Sequence, residues 1–360
     1  MKKIMLGAAP LAASAGLATA QTNAPTLSLV AESQAMIWNA VTLDRGRIFV
    51  SGPRWTGSRG PQLALLDGKG RAAPFPDVAW NDWSPGKDPA STFVDVNALH
   101  RAPNGDLFVV DTGSPTFGGA PLPNGAKVVR IDLGTDKVIR IYRFAADVAL
   151  PGGYIDDIRI HGDTAYLTDA GRPGLIVLDL KTGNARRVLS GAPSVTASNR
   201  PIVVAGEVVL APDGKPLKVH SDPMELSPDG RYLYFGPLNG PWSRIETQWL
   251  DDPRANSADH VEPWAELPPV GGTAMAPNGD LYFTDLAENA VKRRTFDGHI
   301  QTIVSDPRLH WVDAPYLDSE GSLWLPVPQL DRIGIFHGGR SKIAWPTQLF
   351  RLTFNGTPTK

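Results

Sequence analysis

Five side chains, Asn39, Asn97, Asp156, Asp222 and Asp313, stand at equivalent points of a recurring sequence pattern; a sixth point holds Gly271. Brought to one place, they would put three carboxylates and two amides in a small volume. Three carboxylates without a counter-cation repel one another, and burial raises their pKa values. Two kinds of ligand relieve this. A hard cation, calcium above all, takes carboxylate and amide oxygens, with Asn97, Asp156 and Asp222 as its candidate ligands. An organic cation such as an amine would use the same oxygens. The competing reading is structural: Asn and Asp at turns bond to nearby backbone. Asp157 belongs with the set, because the alignment there is uncertain by one residue. His220, two residues before Asp222, is a candidate general base, with Asp222 as its catalytic partner; a surface or turn histidine is the alternative. Glu225 and His100, three residues beyond Asp222 and Asn97, would face the same volume deeper down, or pack blades through paired charges.

The elements that must position these residues are hairpins. Six segments (38–51, 96–111, 155–169, 221–236, 270–285 and 312–326) share one plan: a polar or small head residue, an apolar strand, a Gly-containing turn and a second apolar strand. The second strands are expected to begin at Ile48, Leu107, Ala165, Leu233, Leu281 and Leu323. Two of the turns read APNGDLF and APNGDLY. Further strands follow most copies, as at Lys127–Asp132, Leu175–Asp179 and Ala290–Thr295. Six sheets of about fifty residues arranged radially predict an all-β, six-bladed β-propeller with a central channel. Strand-like ends at 27–30 and 349–354 would close the ring and hide its edges. Three long insertions are expected, at 55–93, 190–219 and 238–262, with a short helix at 244–250. Trp80, Trp83, Trp242 and Trp311 lie in or beside predicted loops. They either wall an aromatic pocket over a cation or pack the loops down.

Composition bounds the function. Hydrophobic residues are 42% of the 360 and charged residues 20%, ordinary for a globular chain with a core. A net charge of −2 and no basic run longer than Lys292–Arg294 give no case for nucleic acid or an anionic membrane. Lys2 and Lys3, an apolar run to Leu17, and Ala18-Thr-Ala20 read as a secretory signal peptide over 1–20. A linker at 21–26 and a single propeller domain at 27–360 follow. The mature chain is expected in the periplasm or outside the cell, free of membrane, with a small molecule as its partner. With no cysteine there is no disulfide framework and no thiolate chemistry. Nucleophile-elbow, HExxH, P-loop and dinucleotide-binding motifs are missing too.

Several stretches resemble the yellow/major royal jelly protein family. They include Gly52-Pro-Arg-Trp55, Phe75-Pro-Asp-Val-Ala-Trp-Asn-Asp-Trp83, Tyr154-Ile-Asp-Asp-Ile158, Tyr234-Phe-Gly-Pro-Leu238, Thr284-Asp-Leu-Ala-Glu-Asn-Ala290 and Asp306-Pro-Arg-Leu-His-Trp311. They occur in the family's order over nearly the whole mature chain. The resemblance implies a secreted six-bladed propeller with a ligand-binding channel, of bacterial type. Family members range from binders of small amines to a dopachrome-converting enzyme, so the family name does not fix an activity. More distantly, the chain resembles the senescence-marker-protein/gluconolactonase propellers. That resemblance implies a divalent metal and lactone hydrolysis, with Asn97, Asp156 and Asp222 at ligand positions and no counterpart for the first-blade glutamate. Gly271, where an acid would complete the ring, marks a difference of expected functional weight.

Overall fold

A computed structural model describes residues 24–354, so the segment read as a signal peptide lies outside the described residues. Six four-stranded antiparallel sheets form the blades of a six-bladed propeller. Their inner strands are Val41–Asp44, Val96–Arg101, Ile155–His161, Ser221–Leu226, Val270–Met275 and Tyr316–Leu317, and each touches its neighbours so that the ring closes. Blade 6 joins the chain ends: Thr26–Ser33 pairs with Thr347–Thr353 as its outermost strand. That strand starts at Thr26, inside the stretch expected to be linker. Three second strands, at Arg47, Thr164 and Tyr232, begin one residue earlier than expected.

The apolar alternation of the strands packs each blade face against the next. The core is therefore six seams rather than one centre. Phe49 and Leu63 of blade 1 meet Leu99 and Val109 of blade 2. Phe108 and Val128 of blade 2 meet Ile158 and Leu167 of blade 3, and the other four seams follow suit. At the end of the second strand, blades 2, 3 and 5 carry a buried aspartate, Asp111, Asp169 or Asp285. Each accepts backbone N–H bonds and meets a cation from its own blade: Lys127, Arg187 or Lys292.

Two of the expected insertions contain blade strands. Residues 55–93 supply the third and fourth strands of blade 1, Leu63–Leu66 and Ala72–Pro74. Between 238 and 262 runs the third strand of blade 4, Trp242–Glu246, followed by a helix confined to Thr247–Asp251. The expected helix at 244–250 gave way because Trp242 and Ile245 bury into the sheet, and strand pairing with Tyr232–Phe235 extends through Glu246. The segment 190–219 does leave the blades. With an unanticipated second excursion at 330–343, it buries Ile202, Val204, Leu217, Leu330 and Ile333 over one face of the ring.

Candidate functional site

The head residues sit at a repeated irregularity. In blades 2 to 5 the pairing of inner and second strands shifts by one at the head, between Val96 and Leu99, Ile155 and Ile158, Ser221 and Met224, and Val270 and Thr273. A bulge leaves one extra residue unpaired and re-aims side chains. It explains the ambiguity at Asp156 and Asp157: both reach the channel, Asp156 at the upper mouth and Asp157 below it. Hydroxyls stitch neighbouring blades at every second seam at this level. Ser51 accepts from the Ala40 N–H and donates to the Asn97 carbonyl at 2.8 Å. Thr168 accepts from the Asp157 N–H and donates to the Asp222 carbonyl at 2.8 Å. Thr284 accepts from the Gly272 N–H and donates to the Val312 carbonyl at 2.8 Å.

Asn39, Asn97, Asp156, Asp222 and Asp313 converge on one pocket of about 250 Å³ at the capped mouth. Its walls are Trp55, Phe117, Tyr154, Trp311 and Phe336. Trp55 and Phe117 have ring centroids 4.6 Å apart, and Trp55 and Tyr154 5.9 Å. A chain of hydrogen bonds runs through the floor. The Trp55 indole donates to the Tyr154 hydroxyl at 2.6 Å, and that hydroxyl donates to Asn97 Oδ1 at 2.7 Å. Asn39 Nδ2 also donates to Asn97 Oδ1, at 3.1 Å, and Asn97 Nδ2 donates to Asp156. One acceptor is left over: Asn39 Oδ1 is buried without a partner.

The charges are unbalanced here. Burial pushes Asp156 well above the ordinary carboxylate range, and the neighbouring carboxylates of Asp222 and Asp313 push it further. Asp222 is raised to about 7, chiefly by burial. Asp313 is raised by burial and by Asp222, against hydrogen bonds from the Trp311 indole and the Ala314 N–H. Among the described residues no lysine or arginine pairs with any of the three. Asp157 differs: Arg159 holds it at 2.6 Å. The backbone around Asp313 is strained as well. Trp311 and Ala314 have φ of 54° and 21°, left-handed values that non-glycine residues seldom adopt.

A family model described as "Major royal jelly protein" matches residues 102–326, more than half of the chain. The chain belongs to the major royal jelly protein family. A search of curated proteins finds no match. Among solved structures, the chain is similar to a calcium-binding protein, regucalcin, from Agrobacterium tumefaciens (13% identity, 92% of this chain and 94% of that one, TM-score 0.55). It is similar to a gluconolactonase from Xanthomonas campestris (12%, 92% and 90%, 0.54) and to a streptogramin B lyase (13%, 92% and 98%, 0.52). At these identities the likeness is one of fold.

In this royal jelly family propeller, the donor set can be tested against calcium. Asn97 turns its NH₂ toward Asp156, and its oxygen already accepts two hydrogen bonds. Among the described residues no group of three or more His, Asp or Glu side chains is arranged to hold a metal. As oriented, the ring does not fit calcium. His220 lines the pocket, but its Nδ1 accepts from the Ala197 N–H at 3.1 Å, and burial lowers its pKa. The neutral ring thus carries its proton on Nε2 and offers a donor rather than a free base. Gly271 has a packing cause: a Cβ there would lie 2.3 Å from the Val312 carbonyl of blade 6. The missing sixth acid reflects close approach of two blades. Trp242 is core, and Trp80 and Trp83 pack their loop onto Phe93 and Arg54 rather than lining the pocket. Of the four tryptophans singled out in the sequence, Trp311 alone reaches it. Sequence reasoning missed Asp95, a buried carboxylate raised to about 7 by burial and by Asp111. It accepts the Arg54 and Trp55 N–H bonds and so sets the Trp55 wall.

Proposed function

We propose that this chain is an exported small-molecule-binding propeller whose capped channel mouth takes an organic cation. An ammonium group would sit among Asp156, Asp222 and Asp313 and donate to the orphaned Asn39 Oδ1. An apolar, ring-sized body would lie against Trp55, Phe117 and Phe336, where cation–π and stacking contacts add to burial. The observation that carries the reading is a set of three partly buried, pocket-lining carboxylates with which no lysine or arginine pairs among the described residues. An external ammonium supplies that charge and three donors together. Export rests on the n-region, apolar run and Ala-x-Ala order of residues 1–20. An exported chain would work in the periplasm or outside the cell.

Calorimetry with phenethylammonium and its uncharged isostere 2-phenylethanol tests the reading. The ammonium is expected to bind and the alcohol to bind at least tenfold more weakly; equal affinities would refute it. Calcium is titrated in parallel. Calcium binding together with chelator-sensitive lactone turnover would replace this reading with a metal-dependent hydrolase.

A further inference from the structure

The inner strands carry a second ring. Three residues along from each head, about 10 Å deeper, stand Thr42, His100, Arg159, Glu225, Ala274 and Tyr316, one from every blade. All six line a separate cavity of about 140 Å³. Between it and the upper pocket lies a throat of about 20 Å³, room for roughly one water. The two cavities are therefore distinct compartments.

The lower ring is built differently from the upper one. Its charges are settled internally: Arg159 bonds both Glu225 oxygens at 2.8 and 2.9 Å and Asp157 at 2.6 Å, while Thr273 donates to Glu225. The consecutive blades 6, 1 and 2 contribute an arc of Tyr316, Thr42 and His100. Thr42 is 1% exposed, and its hydroxyl, close to the Tyr316 phenol, is left without a well-aligned hydrogen bond. The His100 backbone pairs with Phe108, and its ring makes no hydrogen bond or ion pair among the described residues. Burial, reinforced by Arg159, lowers its pKa to about 3, so the imidazole is neutral, with one donor and one acceptor. In blade 5 the ring position holds Ala274, the smallest side chain of the six, at the edge of the seam with blade 6. An anion entering here would meet Asp157 and Glu225, and a cation would meet Arg159. A molecule that is neutral and both donates and accepts meets no such penalty.

We propose that the lower ring is a second binding site, for a small neutral polyol. Its hydroxyls pair with Thr42 Oγ1 and the His100 ring, beside Ala274. The site is independent of the organic-cation pocket above the throat.

The test is an NMR titration of the full mature chain, with ¹⁵N-labelled imidazoles, using erythritol as probe. Phosphate and tetramethylammonium serve as charged controls. The His100 resonances are expected to shift saturably with erythritol alone. Thr42→Val, which keeps the shape and removes the hydroxyl, is expected to weaken binding by about three- to tenfold. Ala274→Leu, which adds bulk to the lining, is expected to abolish it. Unchanged melting of both variants is the control for folding. Phenethylammonium binding at the upper pocket is expected to be the same in both. The proposal is overturned if His100 does not respond to erythritol up to about 100 mM, if a charged control shifts it instead, or if Thr42→Val binds erythritol like the parent.

Discussion

Asp222→Asn separates what the acidic ring does for a ligand from what it does to the fold. The Asp222 carboxyl is raised to about 7 by burial, and a bound ammonium requires the ionised form. With an apparent pKa near 7, about one-tenth of the sites are ionised at pH 6 and about nine-tenths at pH 8. Affinity for an organic cation should therefore rise roughly tenfold from pH 6 to pH 8 and then level off. Binding at pH 7 should release about half a proton, seen as a calorimetric enthalpy that varies with the ionisation enthalpy of the buffer. Because Asp222 touches Asp156, the midpoint belongs to the pair. The Asn variant loses a charge-assisted hydrogen bond, about 1.5–3 kcal/mol or roughly 10- to 150-fold at pH 8, and should flatten the profile. Stability runs the other way. A carboxyl whose folded pKa is raised favours the fold below its unfolded value, and that contribution is lost as pH climbs from about 4 to about 7. The unliganded parent should thus melt lower at pH 8 than at pH 5, and Asp222→Asn should melt higher than the parent at pH 8. Affinity that is flat or falls between pH 6 and 8, or an Asn variant that melts lower at pH 8, would refute the reasoning.

Three further predictions concern the scaffold. Thr168→Val removes the bridge between the Asp157 N–H and the Asp222 carbonyl and should cost about 1–3 kcal/mol in urea unfolding. Gly271→Ala places a methyl 2.3 Å from the Val312 carbonyl and should destabilise by about 1–3 kcal/mol or more; a neutral outcome would mean the blades part freely. Lys127→Met leaves the fully buried Asp111 without its cation, and a loss of about 3–5 kcal/mol is expected in the same assay.

The ring was legible because a propeller repeats one hairpin, and the turn motifs at Ala102 and Ala276 fix its phase. Counting from the turns put Asn97, Asp222 and Asp313 around one mouth and apolar alternation added Asn39 and Asp156; all five line one pocket. Alternation could not resolve Asp156 from Asp157, because a bulge breaks the two-residue period on which the alignment depends. Outer strands were harder. Ala72–Pro74 is three residues long with no alternation and read as loop, and Trp242–Glu246 runs straight into a helix, so its end read as helix. The aromatic wall was the least visible. Trp55, Phe117 and Phe336 come from connections whose course is set by distant partners, such as Asp95 under the Trp55 backbone, and no local pattern announces them. Gly271 taught a different lesson: a departure from a repeat can record a neighbour's backbone rather than a ligand.

The pairing of Thr26–Ser33 with Thr347–Thr353 also sets the order of assembly. The first strand made is completed by the last, and the Thr347 hydroxyl bonds the Met36 carbonyl across 311 residues of sequence. Until the final strand emerges, the blade 1 flank and the opening strand stay bare. A ribosome therefore cannot release a finished ring one blade at a time. The long loop closure favours slow folding.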